Sequence, residues 1–153
     1  MPKIQNILCP IDFSKSAMNA LDYAIDLAKV VQADIKLLHV YEDPLASIPF
    51  ARTGSAGDPT APIEIIEEAR RKRLAEIERL QALCASHGVQ AKVQEIEGTP
   101  AQTIVKVAGE TGIDLLVMGT HGRTGLSHAL VGSVAERVVR QSPCPVLTVR
   151  SKD

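Results

Sequence analysis

Five short apolar runs, separated by segments of helical periodicity, constrain this chain more than any other feature. The runs are Ile4–Ile11 (IQNILCPI), Asp34–Tyr41 (DIKLLHVY), Val89–Ile96 (VQAKVQEI), Asp114–Gly119 (DLLVMG) and Pro145–Arg150 (PVLTVR). Between the first two, Ala17, Ala20, Leu21, Ala24, Ile25 and Ala28 recur at helical spacing, with Ser14 or Ser16 available as a cap. A second helix is predicted from about Pro62 to Ser86, with Ile63, Ile66, Leu74, Ile77, Leu80 and Cys84 on one side. Glu67–Arg71 and Glu68–Lys72 are i,i+4 pairs on its solvated side, and Gly88 ends it. Thr99-Pro100-Ala101-Gln102 is a capping box opening a third helix, with Ile104, Val105 and Ala108 as its apolar face and Gly112 as its close. Ser133-Val134-Ala135-Glu136 is a second capping box, and its helix carries Val134, Val138 and Val139. Continuous apolar strands alternating with helices predict an α/β fold, an open parallel sheet of five strands covered on both faces. Such sheets bind ligands beyond the carboxyl ends of their strands, where strand order reverses. Chemistry is therefore expected after strands one, two and four.

Residues 42–61 fall outside this rhythm. Pro44, Pro49, Gly54, Gly57 and Pro59 argue against regular structure there, and so long a loop is usually a functional flap or locally disordered. Otherwise 153 residues suit a single domain spanning 1–153. Seventeen basic against eighteen acidic residues give a net charge of −1, which lacks the basic surplus of a sequence-independent nucleic-acid binder. Phe13, Tyr23, Tyr41 and Phe50 are the only aromatics, too few for a base-stacking platform. No stretch free of Asp, Glu, Lys and Arg is longer than the twelve residues of Thr124–Ala135, short of the ~20 needed to span a bilayer. No apolar signal core follows Met1-Pro2-Lys3. Cys9, Cys84 and Cys144 are odd in number, far apart and without a CxxC pair, and read as reduced thiols of a cytoplasmic protein.

The loop after strand four is the most informative segment. Gly119, Gly122, Gly132 and Ser133 form the pattern G-x2-G-x9-G-S. Glycines can adopt φ > 0 and let backbone N–H groups approach an anion. Gly132-Ser133 then opens a helix whose first N–H groups are free, a ready phosphate site. On glycine content alone, a turn with an ordinary Ser cap is the better reading. The spacing is neither Walker A nor the Rossmann G-x-G-x-x-G. His121 and His128, seven apart, match no common zinc pattern, and a protein-held metal is not expected. His87 reads as a surface cap at a helix end, His39 as a buried, hydrogen-bonded histidine, and Cys144 as a small buried hydrophobe before strand five. No P-loop lysine and no nucleophile elbow is present, so binding is favoured over turnover.

This glycine pattern resembles the nucleotide-binding signature of the universal stress protein family, in its ATP-binding branch. IQNILCPIDFS resembles the family's first strand and Asp-containing turn; DLLVMGTHGRTG and PCPVLTVR resemble its fourth strand with loop and its last strand. The likeness covers nearly the whole chain apart from residues 42–61. It implies a Rossmann-like sheet of order 3-2-1-4-5 with ATP at the switch between strands one and four. By the same resemblance, Pro10, Ile11 and Asp12 line the adenosine end, and Asp12 offers a carboxylate to a ribose or base group. Asp12 also reads as a cap of the first helix, and the two roles are compatible. Val40 meets adenine through its backbone, and Met118 and Gly119 pack on the nucleoside. His121, Gly122, Arg123, Gly132, Ser133 and Val134 surround the phosphates. Mg²⁺ or Mn²⁺ is expected only as an ion carried on those phosphates. The expected function is a nucleotide-responsive regulator in stress adaptation. The alternatives are a slow ATPase or nucleotidyl-transfer enzyme using the same pocket, or a partner-binding dimer with a vestigial one. A homodimer through strand five (Val146, Leu147, Val149) is expected, because an apolar strand at a sheet edge invites pairing.

Overall fold

The computed structural model describes residues 3–43, 61–110, 112–122 and 131–151. Its elements run β1 (Asn6–Pro10), α1 (Lys15–Val31), β2 (Asp34–Tyr41), α2 (Ala61–Ser86), β3 (Ala91–Glu97), α3 (Pro100–Glu110), β4 (Leu115–Gly119), α4 (Ser133–Gln141) and β5 (Val146–Val149). The strands form one parallel sheet in the order β3-β2-β1-β4-β5, as expected. Most of the predicted loop 42–61 lies outside the described residues, and α2 begins one residue earlier than expected, at Ala61. Among the described residues no helix is long and apolar enough to cross a membrane.

Alternation along the strands sorts the core into two layers, because successive side chains point to opposite faces. Ile7, Cys9, Leu37, Leu115 and Val117 pack beneath α1 and the C-terminal half of α2. Leu8, Leu38, Leu116 and Met118 pack beneath α3 and α4. The helices bury the expected stripes, with corrections. Among the described side chains of α2, only Ile77, Leu80 and Cys84 are buried; Ile63, Ile66 and Leu74 are exposed. Arg71 pairs with Glu68 at 2.5 Å, not with Glu67, and Lys72 shares that carboxylate at 3.5 Å. In α4, Ala135 and Val138 are buried while Val139 is exposed. Cys144 is only partly buried, its backbone N–H and carbonyl both bonded to the Ser142 hydroxyl. Gly88 and Gly112, with φ of 74° and 65°, sit just past α2 and α3 where a left-handed residue ends a helix.

β1 and β4 pair over only two positions, Ile7↔Leu115 and Leu8↔Leu116. The cause lies in the sequence. The Ile11 N–H donates to the Leu38 carbonyl at 2.8 Å, so odd-numbered residues of β1 bond toward β2 and even-numbered ones toward β4. Pro10 occupies the next position facing β4 and has no N–H to give. The ladder stops there, and the carboxyl ends of the two central strands part.

At the opposite end, Asp114 ties the same strands together. Its carboxylate accepts the N–H groups of Gln5 and Asn6, both at 2.9 Å. Those backbone donors hold its pKa below the ordinary carboxylate value. Because the folded-state pKa is the lowered one, the stabilisation is complete above the unfolded-state pKa and is lost as pH falls through the folded-state value. Asp114→Ala should therefore melt at a lower temperature than wild type at pH 7, with the gap closing below about pH 4. Thermal melts across that range check it; a gap independent of pH would refute the assignment.

Where β4 ends, Gly119 lets α1 approach. A Cβ there would collide with the Ser16 hydroxyl oxygen and stand 2.8 Å from the Ser16 carbonyl carbon and oxygen. Backbone cannot step aside as a flexible side chain does. Gly119→Ala should cost about 1–3 kcal/mol in urea unfolding, the usual penalty of overpacking.

Candidate functional site

The parted ends of β1 and β4 open into a cleft at the point where strand order reverses. One wall is the β1–α1 turn. Asp12 Oδ1 accepts the Ser14 N–H at 2.9 Å, and Ser14 Oγ accepts the Ala17 N–H at 3.1 Å. The helix cap is thus Ser14, and Asp12 acts one step earlier by closing the turn. Its other oxygen, Oδ2, faces Gly122, where a Cβ would stand 3.2 Å from it. Phe13 takes up a left-handed backbone, φ 62°, to complete the turn. Behind this wall His39 is buried as expected, its Nδ1 2.8 Å from the Ile11 carbonyl oxygen.

The other wall runs from β4 into α4. Thr120 donates its N–H to the Val149 carbonyl at 3.2 Å and accepts the Gly132 N–H at 2.7 Å. The chain thus returns to the end of β4 just before the helix begins. The His121 N–H donates to Ser16 Oγ at 3.3 Å, and its Nδ1 lies 2.9 Å from Thr120 Oγ1. Among the described residues, its buried Nε2 has no hydrogen-bond partner.

Two expectations about this wall are corrected. The N-cap of α4 is Gly132, not Ser133, and it provides no side-chain bond to the first turn. Ser133 is the first helical residue and is exposed. Glu136, expected to complete a capping box, instead pairs with Arg140 at 2.6 Å. The second correction concerns the glycines. None of Gly119, Gly122 and Gly132 has a positive φ. They serve close approach: Gly119 against Ser16, Gly122 against Asp12, and Gly132 against the Thr120 carbonyl oxygen, 3.0 Å from its would-be Cβ.

Eleven predicted site residues line the cleft together: Pro10, Ile11, Asp12, Val40, Met118, Gly119, His121, Gly122, Gly132, Ser133 and Val134. Arg123 lies outside the described residues. Sequence reasoning missed Ala17, Leu38, Pro100, Ile104, Thr120 and Ala135. Leu38 was reachable, since it shares a strand face with Val40 two residues on. Pro100 and Ile104 enter from α3, which no motif connected to the site. The cleft encloses about 190 Å³. Small-molecule sites usually span roughly 300–1,000 Å³, so the described walls enclose room for only part of such a ligand. Among the described residues, no three His, Cys, Asp or Glu side chains gather to hold a metal. Burial pushes the Cys9 and Cys84 thiols up, and Cys84 adds to the effect at Cys9. Neither is an activated thiolate.

Comparison with known proteins agrees with this geometry. Residues 3–150 match the family model described as the universal stress protein family. The universal stress protein YxiE of Bacillus subtilis is 37% identical over 145 residues, covering 94% of this chain and 97% of that protein. Among solved structures, the universal stress protein UspA from Lactobacillus plantarum superposes with a TM-score of 0.82 at 26% identity, covering 98% of this chain and all of that one. A universal stress protein in complex with cAMP superposes with a TM-score of 0.63 at 25% identity, covering 99% of this chain and 100% of its own. With its sheet order, its switch-point cleft and a family match over almost its full length, the chain belongs to the universal stress protein family.

Proposed function

We propose that the protein binds ATP in the cleft between β1 and β4 and acts as a nucleotide-responsive regulator in stress adaptation. The observation that carries this reading is the convergence of unmet polar groups on one side of the cleft. Among the described residues, no side chain caps the first turn of α4 and the buried Nε2 of His121 has no partner. An uncapped helix start with its positive dipole end favours an anion. In the tautomer where the Thr120 hydroxyl donates to Nδ1, His121 Nε2 carries a proton, which this reading assigns to a phosphate oxygen. Across the cleft, Asp12 Oδ2 suits a ribose hydroxyl or a base N–H, between the apolar surfaces of Val40, Ile104 and Met118. The cAMP complex of a relative supports a purine nucleotide as the ligand class. Mg²⁺ or Mn²⁺ enters on the phosphates rather than through protein ligands.

Calorimetric titration checks the assignment. ATP should bind more tightly than adenosine, and His121→Ala should remove most of that advantage while leaving adenosine binding unchanged. At a hundredfold excess over its Kd, ATP should stabilise the wild type by about 2.7 kcal/mol. Failure of ATP to bind or to stabilise the protein would overturn the reading.

The same reading includes a homodimer through β5, which the sheet order puts at an edge. Leu147 is exposed and Val146 half-buried, whereas Val149 is buried in the protomer's own core and offers the edge only its backbone. The Pro145 and Val149 carbonyls accept from Leu116 and Thr120. Odd-numbered residues of β5 therefore bond toward β4, and the Val146 and Thr148 N–H groups point outward. Light scattering should give twice the mass of one chain. Thr148→Pro, which removes an outward donor and spares the internal ladder, should give a folded monomer; a dimer unaffected by it would exclude pairing through this edge.

A further inference from the structure

His39 lies on the face of the sheet opposite the cleft, yet it touches the turn that carries Asp12 at two points. Its Nδ1 is 2.8 Å from the Ile11 carbonyl oxygen. A carbonyl only accepts, so Nδ1 carries the proton and donates. Its ring also meets the Phe13 ring, with centroids 4.6 Å apart and planes tilted by 47°. Ile11 and Phe13 are the two residues flanking Asp12. Phe13 is also the residue held in the left-handed region, a conformation that persists only where its surroundings enforce it. The His39 ring has a second aromatic neighbour. Tyr41 stacks near it at 6.3 Å, and the Arg73 guanidinium lies 4.1 Å over the Tyr41 ring while bonded to Glu95 at 3.2 Å.

We propose that His39 is a positioning residue for the nucleotide site: from behind the sheet it pins Ile11 and Phe13, and so aims the Asp12 carboxylate across the cleft toward Gly122. Nothing in the glycine motif or the cleft lining contains His39, so this role comes from the tertiary contacts alone. The geometric part stands by itself; the consequence for ligand affinity rests on the nucleotide reading above. Asp12 divides its oxygens between the Ser14 N–H and the cleft. A turn free to shift would spoil both contacts together, while the phosphate end across the cleft would remain as built.

Two measurements test this, one without any ligand. In the ligand-free protein, amide hydrogen exchange at Ser14 reports whether Asp12 Oδ1 still holds its N–H. His39→Leu should speed that exchange roughly tenfold, the scale of one lost hydrogen bond, and leave the Leu116 amide unchanged. His39→Asn keeps an amide N–H near the place of Nδ1 and should restore slow exchange. His39→Gln puts its N–H one bond farther out and should not, so it carries the comparison if the leucine variant does not fold. The second measurement is a cycle of adenosine affinities over wild type, His39→Leu, Asp12→Ala and the double variant, with His39→Gln again replacing the leucine variant if required. Each single variant should weaken adenosine roughly tenfold, and the double variant should be no weaker than Asp12→Ala alone. Additive losses, or Ser14 exchange indifferent to His39, would overturn the assignment. If wild type binds neither adenosine nor ATP, the nucleotide reading falls, and Ser14 exchange still decides whether His39 holds the turn.

Discussion

The site depends on one missing hydrogen-bond donor. β1 is the middle strand of five and would ordinarily pair along its whole length on both sides. Pro10 sits at its last position with its nitrogen toward β4, and the ladder ends two residues earlier. Proline inside a central strand is normally excluded because it breaks the sheet. Here the break falls at the carboxyl end, where neighbouring crossovers already diverge to opposite faces. The result is a wedge-shaped opening between strands that stay joined below by Leu8↔Leu116 and by the Asp114 carboxylate.

Around that opening, packing and polar contacts divide the work. Below it, the Leu8, Leu38, Leu116 and Met118 layer is apolar and closed. At its rim, hydrogen bonds hold the chain in place: the Ser14 N–H to Asp12, the Gly132 N–H to the Thr120 carbonyl, and the His121 N–H to Ser16. Buried polar groups are almost always satisfied in folded proteins, and the exceptions call for an explanation. Among the described residues, the Nε2 of His121, a residue that lines the cleft, is such an exception. An unmet buried donor or acceptor costs stability in the free protein and strengthens whatever ligand meets it.

Much of this was legible in the sequence, though not always for the right reason. The five apolar runs and their helical spacers were enough for the architecture, because period 2 and period 3.6 cannot be exchanged without exposing a core. The glycine spacing located the loop, yet Gly119, Gly122 and Gly132 work by close approach and not by left-handed backbone. A missing side chain reads the same in sequence whichever use it has. Ser133 was expected to cap α4, and the cap is one residue earlier, since the Gly132 N–H is drawn onto the Thr120 carbonyl. Ile63, Ile66 and Leu74 share the helical stripe of Ile77, Leu80 and Cys84 but are exposed. Periodicity tells which side of a helix is apolar, and not how far along its length the sheet extends beneath it.

By itself, then, the sequence determined the order of elements, the two-faced core and the segments that end near the switch point, because these follow from local periodicity and from residues that cannot extend a ladder or a helix. It also marked most of the cleft lining, through residues adjacent to strand ends. Only the tertiary structure decided how those ends meet. It put Asp12 Oδ2 opposite Gly122, Ser16 under Gly119, and His39 behind the turn it braces. Each of these joins positions from 26 to 110 residues apart in the chain. Contacts of that kind leave no local pattern, because their geometry is set by the twist and spacing of a sheet that exists only once the strands have assembled.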